Sequence, residues 1–274
     1  MQSPPKHQLS AYLEVAQQAA SLAGDVLNKY WGKLTDIKEK TYPWDLVTEA
    51  DKESERVVLE CIKTHFPAHQ ILSEEAGLNS QHNHDYLWVV DPLDGTTNYT
   101  HQYPMVCVSI GLLYKGIPIL GVIYNPIHQE NFQAVRGLGA TLNGQPIHVS
   151  KAATISHSLL CTGFAYNRQE SDDNNYAEFC HITHISQGVR RGGSAALDLA
   201  YVAAGRLDGF WELGLKPWDI AAGIILIEEA GGLVSAYDGS PVVIESGRLI
   251  ATNGVIHQEL AREILSVRSK RGTL

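Results

Sequence analysis

Long apolar runs are missing from the sequence. No stretch of about 18 apolar residues occurs, which excludes a membrane-spanning helix. The run from Ile220 to Ile227 fits a buried helix instead. Positive charge is scarce: Lys plus Arg number 21 against 30 Asp plus Glu, a net charge of −9. That balance argues against non-specific binding to nucleic acid or an anionic membrane, and Arg190-Arg191 is too short for a basic patch. An acidic chain acting on a phosphate must neutralise it locally, most simply with metal ions. Only four cysteines are present, Cys61, Cys107, Cys161 and Cys180, without C-x-x-C spacing or a disulfide framework. No secretory signal is recognisable, because Met1 to Lys6 has no apolar run behind its single Lys. A reducing, cytoplasmic compartment is the expectation, or an organelle if a transit peptide has been removed. Internal repeats and low-complexity tracts are absent too.

What remains is an ordinary globular composition, 44% hydrophobic and 19% charged over 274 residues. A chain of this length suits two packed subdomains, with a boundary expected near Lys151, giving 1–151 and 152–274. Leu9, Leu13, Ala16, Ala20, Ala23 and Leu27 recur at mostly three- and four-residue steps, so a helix is predicted from about Ser10 to Tyr30. A second is predicted from about Asp51 to His65, closed by Pro67. Ile37 to Val47 reads as extended chain turning near Tyr42-Pro43. Trp88-Val89-Val90 reads as a short buried strand. The alternation in Val106–Leu112, then Ile117–Tyr124, Asn131–Val135 and Thr141-Leu142, reads as an antiparallel meander with an Asn143-Gly144 turn. After Lys151, strands near Ser158–Gly163, Gly209–Glu212, Leu233–Ala236 and Leu249–Thr252 alternate with helices over Ala195–Ala204 and Ile220–Ala230. The fold class is therefore α+β followed by α/β.

The most informative segment is Trp88-Val-Val-Asp91-Pro92-Leu93-Asp94-Gly95-Thr96-Thr97-Asn98. Asp91 precedes Pro92, which pushes it out of the helical region and should end the strand. Gly95 and the hydroxyl residues suit a turn opening a helix. Two carboxylates three residues apart are thus held on one strand-to-helix turn, where one could bridge two metals and the other bind one. The Leu93 carbonyl between them is a further hard oxygen for Mg²⁺. The Gly95 and Thr96 amides would face an anion. A bare Asp-Pro turn is common for structural reasons alone; the added G-T-T-N and the preceding strand favour chemistry.

Three other segments are weaker alone. Asp219, in Lys216-Pro217-Trp218-Asp219-Ile220, would by itself be a helix N-cap, and Glu212 a solvated charge at a strand end. Ser73-Glu74-Glu75 follows a short apolar run. Asp51, in Asp45-Leu-Val-Thr-Glu-Ala-Asp51, would be a first-turn acid favouring the helix dipole. His181 and His184 lie three apart on a helix with no third ligand for zinc, and His82 and His84 lie in a polar loop. Leu138-Gly-Ala lacks the setting of a dinucleotide loop.

Taken together, W-V-V-D-P-L-D-G-T-T-N-Y, P-W-D-I-A-A-G with E-E-A-G-G, S-E-E and D-L-V-T-E-A-D resemble the inositol monophosphatase family, over about Leu9 to Glu263. The resemblance implies a layered αβαβα sandwich with the site between two halves, a homodimer, lithium sensitivity, and hydrolysis of a phosphate monoester. Glu74, Asp91 and the Leu93 carbonyl would bind one Mg²⁺, and Asp91, Asp94 and Asp219 a second, with a weaker third ion near Glu74. Thr96 and Asp51, with Glu74, would activate the attacking water. Gly95 and Thr96 amides would hold the phosphate. Gly193, Ser194, Ala195, Glu212 and Asp219 would contact a cyclitol or sugar. Glu74, Asp91, Asp94 and Asp219 carry −4 when ionised and a phosphate monoester adds about −2, so the cluster needs cations to accept its substrate. Hard oxygen ligands suit Mg²⁺ rather than zinc. The expected substrate is myo-inositol 1-phosphate. Fructose-1,6-bisphosphatase, 3′-phosphoadenosine 5′-phosphate phosphatase and histidinol-phosphate phosphatase are rivals of the same fold, and a catalytically silent scaffold homologue is a rival of another class.

Overall fold

The computed structural model describes residues 6–79 and 83–272. The opening residues Met1–Pro5 and His82 lie outside them. The chain begins with helix α1 (Lys6–Tyr30), the short strands β1 (Ile37–Glu39) and β2 (Leu46–Thr48), and helix α2 (Glu49–His65). Strands β3 (His69–Ser73), β4 (Gly77–Leu78) and β5 (Asn83–Asp94) lead to the single-turn helix α3 (Thr96–Thr100). A meander follows: β6 (Cys107–Tyr114), β7 (Ile117–Asn125), β8 (Glu130–Val135), β9 (Gly139–Leu142) and β10 (Gln145–Pro146). Next come β11 (Leu159–Thr162), α4 (Tyr176–Ile185), β12 (Gly188–Arg190), α5 (Ala195–Ala203) and β13 (Gly209–Leu213). Helix α6 (Pro217–Glu229), strands β14 (Leu233–Ser235) and β15 (Arg248–Thr252), and helix α7 (His257–Arg271) are the last of the described elements.

These elements stack in five layers. An eight-stranded sheet has the order β10-β9-β8-β7-β6-β5-β3-β4, antiparallel except for the parallel β3–β5 pair. A five-stranded sheet has the order β12-β11-β13-β15-β14, with β15 antiparallel to its neighbours. Helices α1 and α2 cover the outer face of the large sheet, α5 and α6 fill the space between the sheets, and α4 and α7 cover the far face of the small one. This is the expected αβαβα sandwich. Period-two alternation sorts the side chains between layers. Trp88 and Val90 of β5 join Ile110 and Leu112 of β6 under α1, whereas Val89 and Cys107 face α5 and α6.

Two glycines set how closely α6 approaches the large sheet. Gly111 and Gly121 are register partners on β6 and β7. A Cβ on Gly111 would lie 2.9 Å from the Ala221 Cβ, and one on Gly121 would lie 2.6 Å from the Ala222 carbonyl oxygen. With hydrogen there, α6 seats directly on the strands, and its first turn, with Asp219, is brought to β5.

Several boundaries differ from expectation, α1 among them, which starts at Lys6 rather than near Ser10. The short strand at Trp88–Val90 is part of a strand running to Asp94, and it includes His84, expected in a loop. Asp91 does not end the strand: it still pairs with Ser109, and Asp94 pairs with Cys107 across a bulge. The extended conformation imposed before Pro92 is compatible with a bulged strand as well as with a strand end. Helix α2 starts two residues before Asp51, and α6 starts at Pro217, so Asp219 is in its first turn rather than at the cap. The Asn143-Gly144 turn has both residues at positive φ, +50° and +77°, as a type I′ hairpin requires.

Because a methyl group at Gly121 would overlap α6, Gly121→Ala is expected to destabilise the protein by about 1–3 kcal/mol. A thermal melt measures it; an unchanged melting temperature would mean that α6 is not seated by this contact.

Candidate active site

The bulge in β5 decides where the first two carboxylates point. Residues three apart on a regular strand face opposite sides, but Ser109 and Cys107, which they oppose, share a face. Asp91 and Asp94 therefore both face α5 and α6. Asp91 is 2% exposed, and its Oδ1 accepts the Leu93 amide at 3.0 Å. Asp94 Oδ2 accepts the Ser194 hydroxyl and the Ala196 amide, each at 2.7 Å, so this carboxylate sits at the N-terminus of α5. Asp219 Oδ2 accepts the Lys216 amide at 2.7 Å within the first turn of α6. Glu74, just past β3, receives the Lys40 ammonium at 2.9 Å, and Lys40 also contacts Glu75.

Gly95 follows with φ +96°, a left-handed conformation suited to glycine, and a Cβ there would meet the Met105 carbonyl at 2.8 Å. That turn delivers Thr96, whose hydroxyl donates to Asp51 Oδ1 at 2.9 Å. Asp51 is the third residue of α2 and also closes a capping box, accepting the Thr48 amide at 2.8 Å and the Thr48 hydroxyl at 2.6 Å. One buried carboxylate thus caps its own helix and holds Thr96.

A cavity of about 690 Å³ opens between the two sheets at this point. Glu74, Asp91, Leu93, Asp94 and Asp219 line it, as do Gly95 and Thr96. Gly193, Ser194, Ala195 and Glu212 line its opposite wall. Among the sequence-predicted residues only Asp51 lies behind the wall, reaching the cavity through Thr96. A larger cavity, about 790 Å³, lies elsewhere beside the β6–β7 turn and holds none of the predicted residues.

The carboxylates raise one another's proton affinity. Burial, then Glu74, Asp94 and Asp219, pushes Asp91 well above the usual range. Burial and Asp94 do the same to Asp219. Burial pushes Asp94 up to about 6, against its hydrogen bonds from α5. Glu74 rises to about 7 by burial, although Lys40 opposes it. Asp51 rises to about 6 by burial, against the bonds from Thr48 and Thr96. Among the described residues no three His, Cys, Asp or Glu side chains are drawn into a closed ligand cage. Lys40 and the start of α5 engage Glu74 and Asp94 instead. The donor set is nevertheless all hard oxygen around one cavity, which fits Mg²⁺.

Sequence reasoning missed Asp198, Lys40 and the far rim. Asp198 is the only charge in α5 and 3% exposed. Burial and Asp94 raise its pKa well above the ordinary value. Its position in an otherwise apolar helix was the available signal. Trp44 and Arg168 come from separate loops and stack with 4.7 Å between guanidinium and ring centroid. Local spacing carried no hint of that pair. His181 pairs with Glu263 at 2.9 Å, far from these groups in the fold.

The layered fold and this carboxylate-lined cavity define a phosphatase-type α/β sandwich. A profile of the inositol monophosphatase family matches residues 8–270, and the chain belongs to that family. It is 56% identical over 256 residues to the Inositol-1-monophosphatase of Synechocystis sp., covering 93% of this chain and 89% of that protein. It is 43% identical to the Nus factor SuhB of Pseudomonas aeruginosa, covering 88% and 91%. The solved inositol monophosphatase of Anabaena (Nostoc) sp. superposes with a TM-score of 0.88 at 56% identity, covering 94% of this chain and 97% of that one.

Without cations, these carboxyls hold protons more tightly folded than unfolded. Their stabilising contribution is full below the ordinary values of 3.8 to 4.5 and is lost as pH rises through about 6 to 7. A divalent cation that binds the ionised cluster offsets the loss. The rise in melting temperature on adding Mg²⁺ is therefore expected to be larger at about pH 7.5 than at about pH 5. Equal shifts at both pH values would contradict a carboxylate-held ion.

Proposed function

We propose that the protein is a Mg²⁺-dependent phosphomonoesterase that hydrolyses myo-inositol 1-phosphate to inositol and phosphate. One observation carries this: the carboxylates of Glu74, Asp91, Asp94 and Asp219 line the same cavity as Thr96, whose hydroxyl is held by Asp51 behind the wall. Relatives named Inositol-1-monophosphatase support the substrate. Glu74, Asp91 and the Leu93 carbonyl would hold one ion, and Asp91, Asp94 and Asp219 another, with room near Glu74 for a third. Such ions would supply an acidified water, a polarised phosphoryl group and a neutralised leaving alkoxide.

The protein's own groups do the rest. Thr96 directs its proton to Asp51 at 2.9 Å, nearer than the Leu93 carbonyl at 3.2 Å, which leaves its lone pairs to accept a hydrogen bond from the attacking water and orient it. Asp51 then takes the proton, its second oxygen fixed by Thr48. The amides of Gly95 and Thr96 hold the phosphate. Glu212, whose carboxylate has no hydrogen-bond partner among the described residues, accepts from vicinal hydroxyls of the cyclitol; Gly193, Ser194 and Ala195 flank it. Lithium sensitivity, a homodimer, a cytoplasmic setting and a division into halves near Lys151 belong to the same proposal.

Two substitutions test it. Asp94→Asn keeps an acceptor for Ser194 and Ala196 and should preserve the fold, yet lower kcat on inositol 1-phosphate by roughly 100-fold or more. Near-normal turnover in saturating Mg²⁺ would remove Asp94 from the metal site, and a fully silent wild type would favour a scaffold role. Glu212→Gln should lower kcat/KM for inositol 1-phosphate about 10- to 100-fold, with a smaller effect on p-nitrophenyl phosphate, which has no hydroxyls. An equal loss on both would place Glu212 in support of the metals.

A further inference from the structure

Asn175 occupies the position before α4 where an asparagine ordinarily caps its own helix, and it makes no such cap. Its backbone is left-handed, φ +66°, and its side chain is 1% exposed. The amide is spent elsewhere. Its Nδ2 donates to the Thr162 hydroxyl and to the Gly163 carbonyl, both at 2.8 Å. Its Oδ1 accepts the Trp211 indole N–H at 2.7 Å. The Thr162 hydroxyl in turn donates to the Trp211 carbonyl. Asn175 therefore binds the end of β11 to the residue of β13 that immediately precedes Glu212.

Gly163 lies against the Glu212 carboxylate so closely that a Cβ there would meet both oxygens. The two strands that Asn175 joins are thus the backbone carrying Glu212 and the backbone flanking its carboxylate. The loop before Asn175 is itself tied down. Arg268 of α7, 2% exposed, donates to Asp173 at 2.6 Å and to Glu178 at 3.1 Å, and Arg248 of β15 also bonds Asp173. An ion network, buried at Arg268 and Glu178 and more exposed at Asp173 and Arg248, therefore ties down the loop, and the loop presents one amide to the strands beside Glu212.

We propose that Asn175 is a positioning residue for Glu212, setting the distance between that carboxylate and the hydroxyls of the substrate while touching no substrate itself. This rests on the role proposed above for Glu212. Asn175→Gly is the informative variant, because glycine adopts the left-handed backbone freely and only the three side-chain bonds are lost. KM for inositol 1-phosphate is expected to rise about two- to tenfold, with kcat and p-nitrophenyl phosphate turnover little changed. Trp211→Phe removes the indole donor while keeping an aromatic ring in the core, and should shift KM in the same direction. In NMR spectra of indole N–H groups, the Trp211 resonance, assigned with Trp211→Phe, should move in Asn175→Gly while the other four Trp signals stay. Parallel losses on both substrates would mean that Asn175 supports the fold generally, and would overturn the proposal. If Glu212→Gln separates the two substrates but Asn175→Gly leaves KM for inositol 1-phosphate unchanged, the positioning role alone fails. If Glu212→Gln does not separate them, the role of Glu212 fails first and this inference falls with it.

Discussion

Like charges forced together out of water are the constraint around which this protein is arranged. Asp91, Asp94 and Asp219 are held near one another and near Glu74 in a site where burial and mutual repulsion both favour the protonated forms. Bringing several carboxylates into a weakly solvated site costs several kcal/mol per ionised group unless something compensates. The fold offers partial compensation: the start of α5 for Asp94, a backbone amide for each of Asp91 and Asp219, and Lys40 for Glu74. What remains uncompensated is the capacity to bind cations.

Rigid packing makes that arrangement persist. The β5 bulge turns Asp91 and Asp94 to one face, and the glycine pair on β6 and β7 lets α6 approach the strands so that Asp219 lines the same cavity. Ser109 donates to the Trp218 carbonyl at 3.2 Å, tying the start of α6 to the strand opposite Asp91. Thr96 and Asp51 arrive from another direction, through the single turn of α3 and the capping box of α2. The proposed metal ligands and the proposed water-activating pair therefore come from different elements and meet only in the tertiary structure. The proposed function thus draws on a local concentration of charge whose members Asp51, Asp94 and Asp219 also satisfy the first turns of α2, α5 and α6, on a frame that is otherwise apolar.

Much of this was legible in the sequence because the local chemistry is strict. The Asp91-to-Asn98 run, the alternating meander, and the Asn143-Gly144 turn each have few alternative conformations. Every site residue named from the sequence lies in or directly behind the same cavity, the one between the sheets. The bulge was not legible, since an Asp before Pro is equally suited to ending a strand and to bending one. The starts of α2 and α6 were misplaced by two and three residues: Asp51 looks like the acid that opens its helix and Asp219 like a cap, whereas both reach back to the cap residue from inside the first turn. Asp198 was passed over although it is the only charge in an apolar helix, whereas Lys40 and Asn175 were missed for a different reason. Their partners are distant in sequence, so only the assembled sheets give them meaning.

The central claim is that the carboxylate cluster is a divalent-ion site. Mn²⁺ soaked into crystals of the protein tests it most directly, because anomalous scattering locates the ion without reference to activity. At least two anomalous peaks are predicted within about 2.5 Å of the named carboxylate oxygens, one shared by Glu74 and Asp91 and one by Asp91, Asp94 and Asp219. An ordered cavity with no anomalous density near these residues at saturating Mn²⁺ would contradict the claim.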